Sequence, residues 1–307
     1  MLVKVGIMQP DKLQTALEKL LPGTITVLRT EPVSGGCISE AARATVRDSN
    51  GGARNYFVKR NGTNFLRNFQ CERNGLAAIE ASGTMKVPSP IAVGLHGDQA
   101  WLVLEWVEHG KKGTDFFTEF GKQLAELHRC TRSTGAGWEE DNYLGATIQS
   151  NSPMPHWVEF FAEHRIEAQL KLAVDHHRLP KRVIESLEKI IRRMDRILAG
   201  SESDTSLLHG DLWSGNYLAD ECGNPVLIDP AVYRGNREAE FGMLKLFGGC
   251  PDTFYEAYDG TYPLAAGWER RNRVYILYHL LNHLNLFGSG YLSDCEKMAA
   301  RILSESS

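Results

Sequence analysis

The spacing of apolar residues changes partway along the chain, and nothing else in the sequence restricts its fold as much. Residues 25–33, 40–47 and 55–60 carry alternating or β-branched patterns, and DSNGG at 48–52 supplies the turn chemistry for a hairpin between the second and third. Residues 65–82 read as a helix, with Phe69, Leu76 and Ile79 among its apolar positions and Gly83 just past its end. Two further strands, 91–95 and 101–107, flank the turn HGDQ. From about residue 108 the period becomes helical. Phe116, Phe120, Leu124 and Leu127 share one face over 115–130, and Val183, Ile184, Leu187, Ile190, Ile191, Met194 and Ile197 share another over 181–199. A β-rich island interrupts the helices: LLHGDL, then NYLAD and PVLID separated by ECGN, a second hairpin. Helices at about 268–287 and 291–304 close the chain. The pattern predicts an α+β, bilobal protein: a small antiparallel β-rich N-terminal lobe over 1–107 and a larger, mainly helical C-terminal lobe over 108–307.

Bulk properties narrow the function. A chain of 307 residues is comfortable for two lobes sharing a cleft, and 42% hydrophobic with 23% charged residues is ordinary for a globular protein. A net charge of -4 argues against a nucleic-acid backbone as the main partner, since that role needs a basic face to displace counterions. MLVKVGIMQPDKLQ lacks the apolar core and cleavage site of a signal peptide, and no run is long enough to span a bilayer, so the expected location is cytoplasmic. Six cysteines, at 37, 71, 130, 222, 250 and 295, form no C-x-x-C pair, which points away from a zinc site or a disulfide framework and toward small buried hydrophobes.

Phosphoryl transfer from a nucleotide needs a backbone-lined loop against the phosphates, a cation to neutralise them, oxygens to hold magnesium, and a base for the attacking hydroxyl. Each part has a candidate. VSGGCIS at 33–39 is the loop, where Gly35 and Gly36 let the backbone approach anionic oxygens with no Cβ in the way and Cys37 lies beside them. By itself a glycine pair between strands is an ordinary turn. Lys59, late in the strand YFVKR, is the cation, and Glu72 on the following helix is its anion, as a strand lysine and a helix glutamate pair in protein kinases. A lone strand-end lysine would simply be solvated. In LLHGDLWSGNYLAD, Asp211 and Asn216 are five apart, the interval of the kinase loop H-R-D-x-x-x-x-N. Asp229 follows in VLIDP, as the second hairpin strand ends, where a D-F-G aspartate would sit. Asp211 is therefore the candidate base, and Asn216 and Asp229 the candidate magnesium ligands. His209 reads as a packed histidine that holds the loop. A His209–Asp211 pair activating Ser214 is disfavoured, because Ser214 lacks the strained G-x-S-x-G elbow.

HGDLWSGN together with LIDPAVYRGNREAEFGMLKLFGG resembles the fructosamine kinases, also called ketosamine or ribulosamine 3-kinases, which share the fold of the aminoglycoside phosphotransferases. The resemblance covers essentially the whole chain, and Trp213, the DPAVYRGNREAE segment and DNYLGATIQSN make it specific. It implies ATP and Mg2+ as cofactors and phosphorylation of the C3 hydroxyl of a ketoamine, free or on a protein lysine, whose 3-phosphate then eliminates to free the amine. It also implies that Asp211 is the base, Asn216 and Asp229 bind magnesium, Lys59 and Glu72 form the phosphate-lysine pair, and Leu104, Glu105, Trp106 and Val107 hold adenine through backbone groups. Trp213 is the foremost substrate-side residue. Arg165 in FFAEHR and Asn142 in DNYLG are weaker substrate candidates, since such residues on a lobe surface are usually solvated. The family often has Asp where this chain has Asn236 and Glu240, which bears on bonding around the hairpin.

Cys37 has an ordinary reading as a small space-filling side chain. It has a sharper one as a thiol beside bound phosphates and Lys59, able to form a reversible disulfide between two chains, so the expected state is a monomer or a redox-linked homodimer. Two rivals stay open. One is a kinase of the same fold acting on an aminoglycoside, choline or a hydroxy amino acid, with Glu139, Glu140 and Asp141 as an acidic wall. The other is a nucleotide-binding pseudoenzyme module, disfavoured because Lys59, Glu72, Asp211, Asn216 and Asp229 are all present.

Overall fold

The structure is a computed structural model that describes residues 8–33, 38–201 and 205–306. Its first part holds α1 (Pro10–Leu20), β1 (Ile25–Pro32), β2 (Glu40–Asp48), β3 (Ala53–Gly62), α2 (Leu66–Ala81), β4 (Pro90–His96) and β5 (Gln99–Glu105). Then come α3 (Phe116–Cys130), β6 (Asn142–Leu144), β7 (Thr147–Gln149), α4 (Trp157–Phe161), α5 (Ala168–Asp175), α6 (Lys181–Arg192) and α7 (Met194–Ile197). The chain ends with β8 (Thr205–Leu208), β9 (Tyr217–Ala219), β10 (Pro225–Leu227), β11 (Tyr233–Asn236), α8 (Glu240–Leu246), α9 (Asp252–Thr261), α10 (Trp268–Phe287) and α11 (Leu292–Glu305). Two compact units result: residues up to Gly113 with Leu218–Asp229, and Thr114–Tyr217 with Pro230–Ser307. The hairpin 218–229, expected with the helical lobe, thus groups with the β-rich one.

The first unit is an antiparallel sheet in the order β1-β2-β3-β5-β4. Asp48 closes the β2–β3 turn, its Oδ1 accepting from the backbone N–H groups of Asn50 at 2.9 Å and Gly52 at 3.1 Å, which is why DSNGG reads as a hairpin turn. One face of the sheet is covered by α1, whose Leu13, Ala16 and Leu17 pack with Val46, Val58, Trp101 and Val103. Sequence reading passes over α1, although Pro10 at its first turn and the i, i+3, i+4 spacing of those residues announce it. Because side chains alternate along a strand, burying Val58 against α1 sends Lys59 to the opposite face. The hairpin is tied to this unit at several points. Leu227 N–H donates to Lys86 O at 2.9 Å, Gly110 N–H to Ala219 O at 2.9 Å, and the Lys86 ammonium meets Asp220 Oδ2 at 2.8 Å. Asp220 Oδ1 also accepts from Cys222 N–H and Asn224 N–H, holding the ECGN turn.

The second unit is built on α10, flanked by α5, α8 and α11, with a core that includes Trp157, Phe160, Phe161, Ile190, Tyr275 and Leu281. The helical pattern over 181–199 breaks at Arg193 (φ -113°), between α6 and α7. Residues 162–167, between α4 and α5, wind as a π-helical turn, a widening found mostly where a helix must re-aim a side chain. Among the described residues no helix is long and apolar enough to cross a membrane. Of the five described cysteines, only Cys71 and Cys295 are buried while Cys130 and Cys222 are exposed, so the expectation that most are buried hydrophobes does not hold. Surface turns at the end of α3 and in ECGN carry the exposed pair.

Candidate active site

In the first unit, strand β3 and helix α2 bring Lys59 and Glu72 together, and the hairpin adds Asp229. The Lys59 ammonium lies 2.8 Å from Glu72 Oε1 and 2.6 Å from Asp229 Oδ1. Lys59 is buried, 8% exposed, so the solvated strand-end alternative is excluded. Burial alone would pull its pKa down, but Asp229 and then Glu72 outweigh that and raise it above the ordinary lysine value. Glu72 is pushed up, first by burial and then by the charge of Asp229, with Lys59 opposing. One ammonium faces two carboxylates, which leaves the cluster one positive charge short. That deficit, together with a hard carboxylate oxygen on the more exposed Asp229, suits a divalent cation such as Mg2+. Asp229 adopts φ 56°, a left-handed conformation uncommon for a residue with a Cβ and a form of local strain that concentrates at functional positions.

Leu104 and Val107 are buried at 2% and 8%, and Glu105 is anchored to Ser89 by its backbone N–H at 2.9 Å and its Oε2 at 3.2 Å. Trp106 stacks on His109 at 5.5 Å and lies under the Arg43 guanidinium at 4.8 Å. Gly35, Gly36 and Cys37 lie outside the described residues.

In the second unit, the loop after β8 carries Asp211 and Asn216. Strand β8 pairs with β11 in the register Leu208↔Tyr233, and the loop starts where the pairing ends. Gly210 is required there: at φ 81°, a Cβ would sit 2.1 Å from Ala231 O. The buried His209 accepts the Asp211 N–H on Nδ1 at 3.3 Å, so it holds the loop in the way its position suggests. Asn216 Nδ2 donates to Asp211 O at 2.8 Å and Asp211 Oδ2 at 3.2 Å, which commits its amide nitrogen to the loop and makes Oδ1 the atom a hard cation would take. Gly215 is needed for a different reason. A Cβ there would meet the Trp213 ring at 2.4 Å, so the indole lies back across the loop only because position 215 has no side chain.

The sequence marks Glu240 without revealing its task. Its carboxylate, 2% exposed, accepts from His209 N–H at 2.6 Å and Gly210 N–H at 3.1 Å, clamping the two residues before Asp211. Burial works against its charge, but His128 and His209 more than offset that and hold the carboxyl below the ordinary glutamate value. His128, fully buried with Nδ1 2.7 Å from Tyr258 Oη, is held below the usual histidine range by its burial. Asn236 caps the turn before α8, accepting from Glu238 N–H at 2.9 Å and donating to Ser201 O at 2.8 Å. An amide or carboxylate can do the first and only an amide the second, which explains Asn here. Glu240→Gln should lower kcat about 10- to 100-fold with the ATP KM little changed, because one buried N–H would then face an NH2 group, a loss of about 1–3 kcal/mol. Steady-state kinetics at varied ATP checks this; a raised KM with an intact kcat would contradict it.

Two substrate candidates are corrected. Asn142 and Arg165 are 3% and 0% exposed, neither solvated nor on a lobe surface. Asn142 donates to Val232 O at 2.7 Å and accepts from Gln149 at 2.8 Å. Arg165, re-aimed inward by the π-helical turn, donates to Ser150 O at 2.6 Å and Asn151 Oδ1 at 2.7 Å and lies 4.1 Å over the Tyr233 ring. Both brace the 142–151 segment from inside. Asp141 is exposed and accepts the Asn151 N–H at 2.8 Å. Trp213 keeps a half-buried ring at the loop, 5.9 Å from Phe247.

A β-rich unit with a buried lysine–glutamate pair and a helical unit with an HGDLxxGN loop define the bilobal fold of the aminoglycoside phosphotransferase-like kinases. The same fold, at TM-score 0.63 and 16% identity over 96% of this chain and 97% of the other, is seen in a thermostable mutant of aminoglycoside phosphotransferase APH(4)-Ia crystallised with AMP-PNP and hygromycin B. A candidate fructosamine-3-kinase from Thermobifida fusca YX-ER1 is more similar, with TM-score 0.82 and 30% identity over 96% of this chain and 99% of that one. The chloroplastic protein-ribulosamine 3-kinase of Arabidopsis thaliana is 39% identical over 265 residues, 85% of this chain and 78% of that protein. The family model for fructosamine kinase matches residues 10–305, and the chain belongs to that family. It is an ATP-dependent kinase of a hydroxylated small-molecule acceptor.

Proposed function

We propose that the chain phosphorylates the C3 hydroxyl of ketoamines, sugar adducts of amines that include protein lysines, and so starts their removal. The observation that carries this reading is Trp213: an indole laid across Gly215, two residues after the candidate base, supplies the flat apolar face on which sugar rings and chains pack. In the reaction, Asp211 takes the proton of the acceptor hydroxyl as its oxygen attacks the γ-phosphorus. The new O–P bond forms, the bond from γ-phosphorus to the bridging oxygen breaks, and ADP departs with that electron pair. Lys59, steadied by Glu72, neutralises the phosphates, and Leu104–Val107 receive adenine. Asn216 and Asp229 would hold Mg2+, which supplies charge neutralisation at the phosphates when bound. Mg2+ keeps much of its coordination in water and phosphate oxygens, so these two side chains would suffice to place it. The 3-phosphate then eliminates inorganic phosphate, and water hydrolyses the remaining adduct to the free amine and a dicarbonyl sugar. The test is magnesium-dependent ATP consumption with ribulosyl, fructosyl and erythrulosyl amines, and choline and an aminoglycoside as controls. Turnover confined to the controls would overturn the ketoamine reading, and ATP binding without turnover of any acceptor would favour a pseudoenzyme.

A further inference from the structure

A band of aromatic rings leaves the catalytic loop at Trp213 and runs over the second unit. Trp213 is 5.9 Å from Phe247, Phe247 is 5.1 Å from His283, and His283 is 5.4 Å from Phe287 and 5.1 Å from Tyr291. His279, His283 and Phe287 recur every fourth residue on α10 and so share one face of it. The band begins half-buried at the loop and ends at Phe287, 58% exposed and among the most exposed large apolar side chains described. At its inner end His279 is 4% exposed and its Nδ1 has no hydrogen-bond partner among the described residues, a polar atom left over in the interior.

We propose that this band is the subsite for the amine half of the acceptor, and that it takes a lysine-type alkyl chain with its secondary ammonium along the ring faces. The proposal rests on the ketoamine reading and deepens it. Three observations select this occupant. The band is continuous with the loop that carries the base, so a ligand held at C3 by the loop projects its amine substituent along it. Ring faces attract an alkylammonium through their quadrupole and pack its methylenes at the same time. None of the five rings belongs to a residue that is cationic at neutral pH, since burial holds His283 below the usual histidine value, so no ring of the band repels the ammonium. A free sugar phosphate or a short hydroxy acid would leave Phe287 and Tyr291 uncovered.

The test compares two fructosyl adducts, one of methylamine and one of Nα-acetyl-lysine amide, by kcat/KM in the wild type and in Phe287→Ser. The lysine adduct should be preferred by the wild type, and the substitution should cut the ratio of lysine to methylamine adduct about 3- to 10-fold, within the range of an apolar contact of the extra methylenes at a partly exposed site. Phe287→Tyr should restore the ratio. Phe287 is mostly exposed, and a thermal melt confirms that the variants fold. An unchanged ratio in a folded Phe287→Ser overturns the subsite while leaving the ketoamine reading intact. Wild-type failure on both adducts, with their ribulosyl and erythrulosyl counterparts inactive as well, overturns the two together.

Discussion

Asp211→Asn should reduce kcat about 10²–10⁴-fold, the usual contribution of a positioned general base, with nucleotide affinity changed by no more than a few-fold. The substitution keeps the side chain's shape and an oxygen that can accept from Asn216 Nδ2, so the loop bond at 3.2 Å survives. The backbone bonds of His209 and Gly210 to Glu240 are untouched, and the loop stays clamped. What disappears is the ability to take a proton. Nucleotide affinity is assigned to Lys59, Glu72 and Asp229, none of which is altered. Turnover by a coupled ADP assay and nucleotide Kd by calorimetry check both halves. Loss of nucleotide binding, or retention of turnover, would remove Asp211 from the role of base.

Arg271→Met should destabilise the helical unit by about 3–5 kcal/mol, the cost of leaving a buried charge without its partner. Arg271 on α10 is 2% exposed and uses all of its donors. Its Nε and Nη2 each lie 2.7 Å from Glu238 in a two-pronged pair, and Nη1 and Nη2 also donate to Ala199 O, Ala266 O and Ala265 O at 3.0–3.1 Å. Without the guanidinium the Glu238 carboxylate, 3% exposed at its side chain, is stranded. Adding Glu238→Leu should therefore recover part of the loss, since the double variant buries no lone charge. Urea denaturation of the two single variants and the double one measures the coupling; strictly additive losses would show that the pair does not act as a unit. The effect should reach catalysis too, because Glu238 lies two residues before Glu240 on the turn that backs the catalytic loop.

The layout of elements was legible because burial imposes a period. Alternation over 25–60 predicted β1 to β3, and the three- and four-residue spacing of Phe116, Phe120, Leu124 and Leu127 predicted α3, all of whose named residues are buried. The break at Arg193 and the π-helical turn at 162–167 were not legible, since both arise from how neighbouring helices pack and neither carries a Pro or Gly signal. Polar residues were harder still. Arg165 and Asn142 looked like surface groups by residue type, and only the carbonyls that receive them show why they are inside.

Residue type and interval alone marked Lys59, Glu72, Asp211, Asn216 and Asp229, because phosphate, metal and proton chemistry each admit few side chains and a loop permits few spacings. Tertiary structure decided who meets whom. A hairpin close in sequence to the candidate catalytic loop is bound through Lys86, Gly110 and Asp220 to the β-rich unit, and that attachment sets Asp229 2.6 Å from a lysine 170 positions earlier. Glu240 became the clamp of the loop only once β11 and α8 carried it behind His209 and Gly210. Local sequence specifies conformations a few residues long, whereas a buried charge takes its meaning from whichever distant segment the packed core delivers to it.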